Sequence, residues 1–165
     1  MSERRLEIHW QDPLPGAKAA REMSGIELLG AIRDGVLAPP PIANLLGFQL
    51  TEIGDGWAVF TCEPGEQHYN PIGVVHGGLA CTLLDSAMGC AVHSTLPKGL
   101  AYTTLELKVN LLRPVTMKTS LLRCEGRIIH AGKRTATAEG KLVDAAGKIY
   151  AHATTTCLIF DAGSG

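Results

Sequence analysis

An excess of charge of either sign is missing: the net charge is −1 over 165 residues. That excludes a surface built for nucleic acid or for anionic membrane headgroups. No apolar run reaches the length of a bilayer span. The N-terminus (MSERRLEIHWQDP) has no apolar signal-peptide core, so the cytoplasm is the expected compartment. Cysteine is sparse and unpatterned. Cys62, Cys81, Cys90, Cys124 and Cys157 are odd in number, scattered among apolar residues, and form no Cys-x-x-Cys pair. Buried free thiols are expected rather than a disulfide framework or metal cage. His68, His76 and His93 lack His-x-x-x-His spacing, so no metal site is expected. There is no Gly-x-Ser-x-Gly elbow and no Rossmann or Walker loop, so neither a serine triad nor a nucleotide cofactor is expected. Internal repeats and low-complexity segments are also lacking.

What remains is one domain's worth of chain organised around a single run, His68 to Leu96, HYNPIGVVHGGLACTLLDSAMGCAVHSTL. It is a long apolar helix with one acidic residue, Asp85, entered through a Pro/Gly loop ending in His76-Gly77-Gly78. Pro97 and Gly99 stop it. Upstream, residues 1 to 23 read as irregular chain. Ser24 to Arg33 reads as a short helix, capped by Ser24 with Glu27 three residues on, its apolar side being Ile26, Leu29 and Ile32. Gly35 ends it, and Pro39-Pro40-Pro41 forbids its continuation. This segment is either a lid or decoration. Ile42 to Phe48 reads as a further helical turn.

Strands are expected over Gln49 to Ile53 and Trp57 to Cys62, joined by Gly54-Asp55-Gly56, and over Thr103 to Leu111, Leu121 to Ile129, Thr135 to Val143 and Ile149 to Phe160. In the third, Thr103, Leu105, Leu107, Val109 and Leu111 alternate with Thr104, Glu106, Lys108 and Asn110. Consecutive hairpins imply an antiparallel sheet, and a helix apolar nearly all round must be buried nearly all round. The predicted architecture is α+β: a curved antiparallel sheet wrapped around one helix. Ala136, Ala138, Gly140, Ala151 and Ala153 would let that helix lie close. Residues 1–41 form an arm, 42–160 the domain and 161–165 a flexible tail.

At the helix start, Gly77 and Gly78 expose N–H groups with no intrahelical partner, at the positive end of the macrodipole. A carbonyl oxygen could approach there as in an oxyanion hole, or the glycines could simply ease a turn. Asp85 has no Lys or Arg within a turn; its near neighbours are Cys81, Thr82, Met88 and Gly89. A carboxylate so placed must face a cleft or a partner. It fits a general base or nucleophile, or a structural Asp bound to a loop. Gly77 and Asp85 are separated by roughly 12 Å along the helix, too far to meet at one carbonyl. If both act on one substrate, a second helix must supply one of them, and a homodimer with sites at its interface is expected.

The ordered set Asn70, His76-Gly77-Gly78 and Asp85, together with Thr104-Leu-Glu-Leu-Lys-Val-Asn, Arg113-Pro114, Gly132-Lys133-Arg134 and Asp144-Ala-Ala-Gly147-Lys148, resembles the PaaI-type acyl-CoA thioesterases of the hotdog superfamily over residues 42 to 160. The resemblance implies a hotdog fold, a dimer that is often a dimer of dimers, and hydrolysis of an acyl-CoA thioester; the apolar helix residues Leu84, Ala87 and Met88 suit a hydrophobic or aromatic acyl group. It implies Asp85 as nucleophile or general base and the Gly77 N–H as polariser of the carbonyl. Asn70 would orient water or thioester, His76 would support the loop and the leaving side, and Thr104 would place a hydroxyl near water. Gly89 departs from relatives that carry Thr or Ser there. Coenzyme A carries phosphates, so Arg113, Lys133 and Arg134 are candidate cations. Gly78 would lie against the substrate, and Met88, with Leu84 and Ala87, would line the acyl group. A non-catalytic acyl-CoA-binding module is the alternative; a hotdog hydratase fits less well.

Overall fold

A computed structural model describes residues 2–163. Four helices and six strands follow in chain order: α1 Leu14–Glu22, α2 Gly25–Arg33, α3 Pro41–Leu46, β1 Phe48–Gly54, β2 Trp57–Cys62, α4 Gly77–His93, β3 Leu100–Leu111, β4 Leu122–Ala131, β5 Thr135–Val143 and β6 Ile149–Asp161. The strands form one antiparallel sheet in the order β1-β2-β4-β5-β6-β3. It wraps α4, as the hairpin pattern and the buried helix required. This is the hotdog architecture.

The closest crossing is at Gly126 of β4. A Cβ there would stand 2.3 Å from the backbone carbon and oxygen of Ala87, so only glycine lets the helix backbone rest on the sheet. Gly140 on β5 receives the side chains of Leu84 and Met88, with both contacts at 3.0 Å from where a Cβ would be. Ala136, Ala138, Ala151 and Ala153 complete this low floor, and all are buried. Ser94, just past α4, ties the helix to the first hairpin. Its hydroxyl accepts from the Gly56 N–H at 2.9 Å and donates to the Ala91 carbonyl at 2.8 Å.

Three sequence expectations need correction. Residues 14–22 are helical, not irregular; Pro13, Leu14 and Pro15 suit a helix start, where a missing N–H costs nothing. The packed side of α2 is Leu28 and Leu29, and Ile26 is exposed. Strand β6 runs through Asp161, and the Ala162 N–H bonds to the Gly99 carbonyl at 2.8 Å, so the chain stays paired up to there. Ser164 and Gly165, the end of the expected tail, lie outside the described residues.

A fourth difference concerns β3. The pairing with β6 takes Thr104 to Cys157 and Glu106 to Thr156, so Leu105 is an extra, bulged residue. One inserted residue reverses the facing of everything beyond it. Tyr102 and Thr104 therefore face α4 on one side of the bulge, and Leu107 and Val109 pack on the core on the other. Leu105 points out and is 57% exposed. An uninterrupted period of two would have sent Thr104 to the outer face.

Two histidines sit in the body with a buried ring nitrogen that has no partner, His68 through Nε2 and His93 through Nδ1. Desolvation holds both below the ordinary value of 6.5. The unfolded chain therefore takes up these protons first, and stability is full above about pH 6.5 and declines as the pH falls toward the folded values. Unfolding midpoints measured from neutral down to mildly acid pH should fall along this limb, and His93→Phe should flatten it.

Candidate active site

The loop before α4 is built by its own polar side chains. Asn70 Oδ1 accepts from the backbone N–H groups of Ile72 at 3.0 Å and Val74 at 3.4 Å, and the Asn70 N–H donates to the Val74 carbonyl at 2.8 Å. Among the described residues the Asn70 amide nitrogen, a pair of donors, has no acceptor. His68 Nδ1 accepts from the Gly65 N–H at 3.0 Å, and its carbonyl accepts from the His76 N–H at 2.8 Å. The loop is pinned to the sheet body through Val75 N–H to the Val115 carbonyl at 2.9 Å, and through Met117 N–H to the Tyr69 hydroxyl at 3.1 Å.

His76 is the N-cap of α4. Its Nδ1 accepts from the Gly78 N–H at 2.9 Å, so the ring carries its hydrogen on Nε2. This corrects one expectation: the Gly78 N–H is taken by the cap and is not offered outward. Among the described residues the Gly77 N–H has no acceptor. It opens into a cavity of about 320 Å³ lined by Asn70, His76, Leu79, Leu111 and Arg113. A Cβ at Gly77 would stand 2.6 Å from the Leu111 side chain.

Two turns further on, Asp85 accepts a hydrogen bond at Oδ1 from the Thr104 hydroxyl at 2.9 Å. The bulge in β3 makes this contact possible. Oδ2 is left for other chemistry. Asp85, Ser86 and Cys90 of α4 border a second cavity, about 220 Å³, whose other walls include Leu29, Ile32, Phe60 and Tyr102. Thr82, Asp85, Ser86 and Cys90 form the half-buried side of α4, reached by Thr104 and Tyr102 of the edge strand β3. Within one chain the two cavities share no lining residue, so the free Gly77 N–H and the Asp85 carboxylate face different spaces.

The expected acyl lining is not where the sequence put it. Met88, Leu84 and Ala87 are each 0% exposed and pack on the sheet; they are core, because the apolar stripe of α4 turns toward β4 and β5. The residues that border the Asp85 cavity are instead Ser86, Cys90 and Tyr102. Tyr102 escaped the sequence reading, which began its strand at Thr103. Its hydroxyl explains Gly89: a Cβ at 89 would stand 2.4 Å from Tyr102 Oη, so the phenol fills the space a longer side chain would need. Burial pushes the Tyr102 phenol well above its usual range, and it stays protonated. Burial likewise lifts the Cys90 thiol to about 12, which makes it a lining group and not a nucleophile.

Of the candidate cations, Arg113 lies at the Gly77 cavity, its guanidinium donating to the Ile149 carbonyl. Lys133 and Arg134 are exposed in the turn between β4 and β5 and border neither cavity. The register puts that turn at the Thr104 end of the sheet, since Thr135 pairs with Leu158 and Leu158 with Thr103. Among the described residues no group of three His, Cys, Asp or Glu side chains is placed to hold a metal. No helix there is long and apolar enough to cross a membrane.

The thioesterase superfamily profile matches residues 72–151, a span that contains the α4 glycines, Asp85 and Thr104. A candidate esterase of Saccharolobus solfataricus is 30% identical over 112 residues, covering 68% of this chain and 78% of that protein. A candidate thioesterase of Ralstonia eutropha JMP134, a phenylacetic acid degradation-related protein, superposes with a TM-score of 0.71 at 29% identity, over 79% of this chain and 98% of that one. A hypothetical thioesterase of Streptococcus pneumoniae, solved with coenzyme A, superposes with a TM-score of 0.63 at 26% identity, over 69% of this chain and 86% of that one. Fold, site sequence and these likenesses define a hotdog-fold thioesterase. The chain belongs to the thioesterase superfamily, and it is a thioester hydrolase.

The Thr104 contact generates a prediction. A hydrogen bond to a charged group is worth about 1.5–3 kcal/mol, so Thr104→Val should lower kcat about tenfold to hundredfold. Thr104→Ser, which keeps the hydroxyl, should recover most of it. Steady-state thioester hydrolysis by the two variants checks this.

Proposed function

We propose that the chain hydrolyses acyl-CoA thioesters with a hydrophobic or aromatic acyl group, in a homodimer whose two sites each draw on both subunits. One observation carries the reading. The only carboxylate on α4 is held by Thr104 at an apolar cavity, while the free N–H at the mouth of α4 opens into a different one. A second copy of α4 lying antiparallel would bring one subunit's Gly77 to the other's Asp85. The sheet supports such pairing. Strand β3 is twelve residues long, lies at the sheet edge, and exposes Leu105 and Leu111. Long apolar edges of this kind are normally covered.

In the assembled site the thioester carbonyl oxygen accepts from the Gly77 N–H, which strengthens as negative charge develops there. Asp85 Oδ2 attacks the carbonyl carbon directly, or takes a proton from a water that attacks it. The tetrahedral intermediate then collapses, the C–S bond breaks, and coenzyme A leaves as thiolate and takes up a proton. The direct route leaves an anhydride on Asp85, which water hydrolyses. The Asn70 amide donors lie beside Gly77 and are available to water or thioester, and His76 Nε2–H stands on the leaving side. Arg113 is the cation placed for a coenzyme A phosphate near the helix mouth; Lys133 and Arg134 serve only from the Asp85 end. The coenzyme A held by the pneumococcal protein favours the same ligand here. A binding module without catalysis would not need Asp85 held by Thr104 with one oxygen free.

Asp85→Asn should reduce acyl-CoA hydrolysis by about a thousandfold or more with the melting temperature unchanged, read by released thiol. Sharing of sites has its own test. Gly77→Pro removes an N–H that is already without a partner, at the first helical position where proline is tolerated, after a residue with ψ 133°; its added Cβ would stand 2.6 Å from the end of the Leu111 side chain, which must turn aside, so the melting temperature of this variant is the control. Mixing inactive Gly77→Pro and Asp85→Asn subunits should restore about a quarter of wild-type activity, because half of the dimers are mixed and one of their two sites is intact. No recovery on mixing would place each site within one chain, and sedimentation as a fully active monomer would end the dimer reading.

A further inference from the structure

The cavity at Asp85 is closed by a part of the chain that the superfamily profile does not match. Leu29 and Ile32 of α2 line it together with Pro39, Pro40, Ala43 and Phe48, all before residue 72, where the profile begins. Leu29 and Ile32 lie three residues apart, so both side chains leave α2 on one face. This wall is docked on α4 by backbone contact. The Gly25 N–H donates to the Leu96 carbonyl at 2.9 Å, and a Cβ on Gly25 would stand 1.7 Å from the His93 carbonyl oxygen. The start of α2 is also fixed locally, with Glu27 accepting from the Ser24 N–H at 2.9 Å and from its hydroxyl at 2.6 Å. At its C-terminal end, the stiff Pro39-Pro40 segment follows. Helix α2 is therefore a seated wall and not a loose flap.

We propose that α2 is the acyl-length ruler of this enzyme, with Leu29 and Ile32 as the residues that stop the acyl group. The inference rests on the thioesterase reading above and adds to it which residues set the substrate's size. The volume gives the scale. An apolar cavity of about 150 Å³ accepts benzene, and this one is about 220 Å³. It holds one ring with a short spacer, or an alkyl chain of comparable bulk, and rejects long straight chains. Asp85, the reacting group of the proposed site, and Leu29 and Ile32 line the same cavity, so an acyl group held at Asp85 meets α2 within that space. A pocket without α2 would be open at this end and indifferent to length.

The test is a length profile. Wild type, Ile32→Ala, Leu29→Ala/Ile32→Ala and Ile32→Trp are assayed on a straight-chain acyl-CoA series for kcat/KM. The same series as non-hydrolysable alkyl-CoA thioethers is titrated for Kd. Each methylene newly buried is worth about fourfold in affinity, so the alanine variants should raise the ratio of long-chain to short-chain kcat/KM on the order of tenfold. The cutoff should move by a few carbons, and Ile32→Trp should shorten it. Ile32 is only half-buried, so the single variants should stay folded, with melting temperature as the check. Variants that turn over with the wild-type length profile, or thioethers whose Kd ignores these substitutions, overturn the ruler. A wild type that binds the thioethers with the predicted length dependence but hydrolyses no acyl-CoA would overturn the catalytic reading instead, and leave the ruler standing.

Discussion

Backbone contact between α4 and the sheet at Gly126 sets the geometry on which everything else depends. With Ala87 resting on β4, and Leu84 and Met88 filling the low floor over Gly140, the helix has no freedom to rotate about its axis. Its large apolar residues point into the sheet. Thr82, Asp85 and Ser86 are thereby turned to the half-buried side. A larger residue at 126 would lift the helix and swing this stripe, and the carboxylate would lose Thr104. A packing requirement at the sheet thus fixes the reach of the Asp85 carboxylate.

The ends of α4 do different work for a related reason. The N-terminal N–H groups are divided: one is spent on the His76 ring to hold the entry loop, and one is left over. A cap that satisfied both would make a sturdier helix with no free donor at its mouth. The C-terminal end is satisfied by Ser94 and pressed by α2 through Gly25. The helix is held firmly at its C-terminal end and keeps one unspent N–H at its N-terminal end.

Much of this was legible in the sequence, for identifiable reasons. The hairpin turns between successive strand-like runs gave the antiparallel sheet, since turn chemistry is a local property. The isolation of Asp85 on an apolar helix marked it as a site residue, since burial without a partner is costly. Asn70, His76 and Gly77 came from the same run. Facing was harder to read. Met88 looked like a pocket residue because apolar side chains do not announce which side of a helix meets the sheet. Tyr102 was hidden because its role arises from a gap left by Gly89, thirteen positions earlier. Gly78 appeared available because its partner is a ring two residues away in the same turn. The arm, readable in the sequence as a lid or as decoration, lines part of the Asp85 cavity through α2, a juxtaposition of segments some sixty residues apart in sequence.

The bulge at Leu105 also bears on how relatives of this chain are aligned. The strand carries two phases, one for Tyr102 and Thr104 and the opposite one for Leu107 and Val109. An alignment that slides by a single residue across position 105 would still match apolar to apolar along much of the strand. It would nonetheless exchange inside for outside in one half. The hydroxyl that holds the carboxylate would then be scored against surface positions, and an active relative could be mistaken for one that has lost its site.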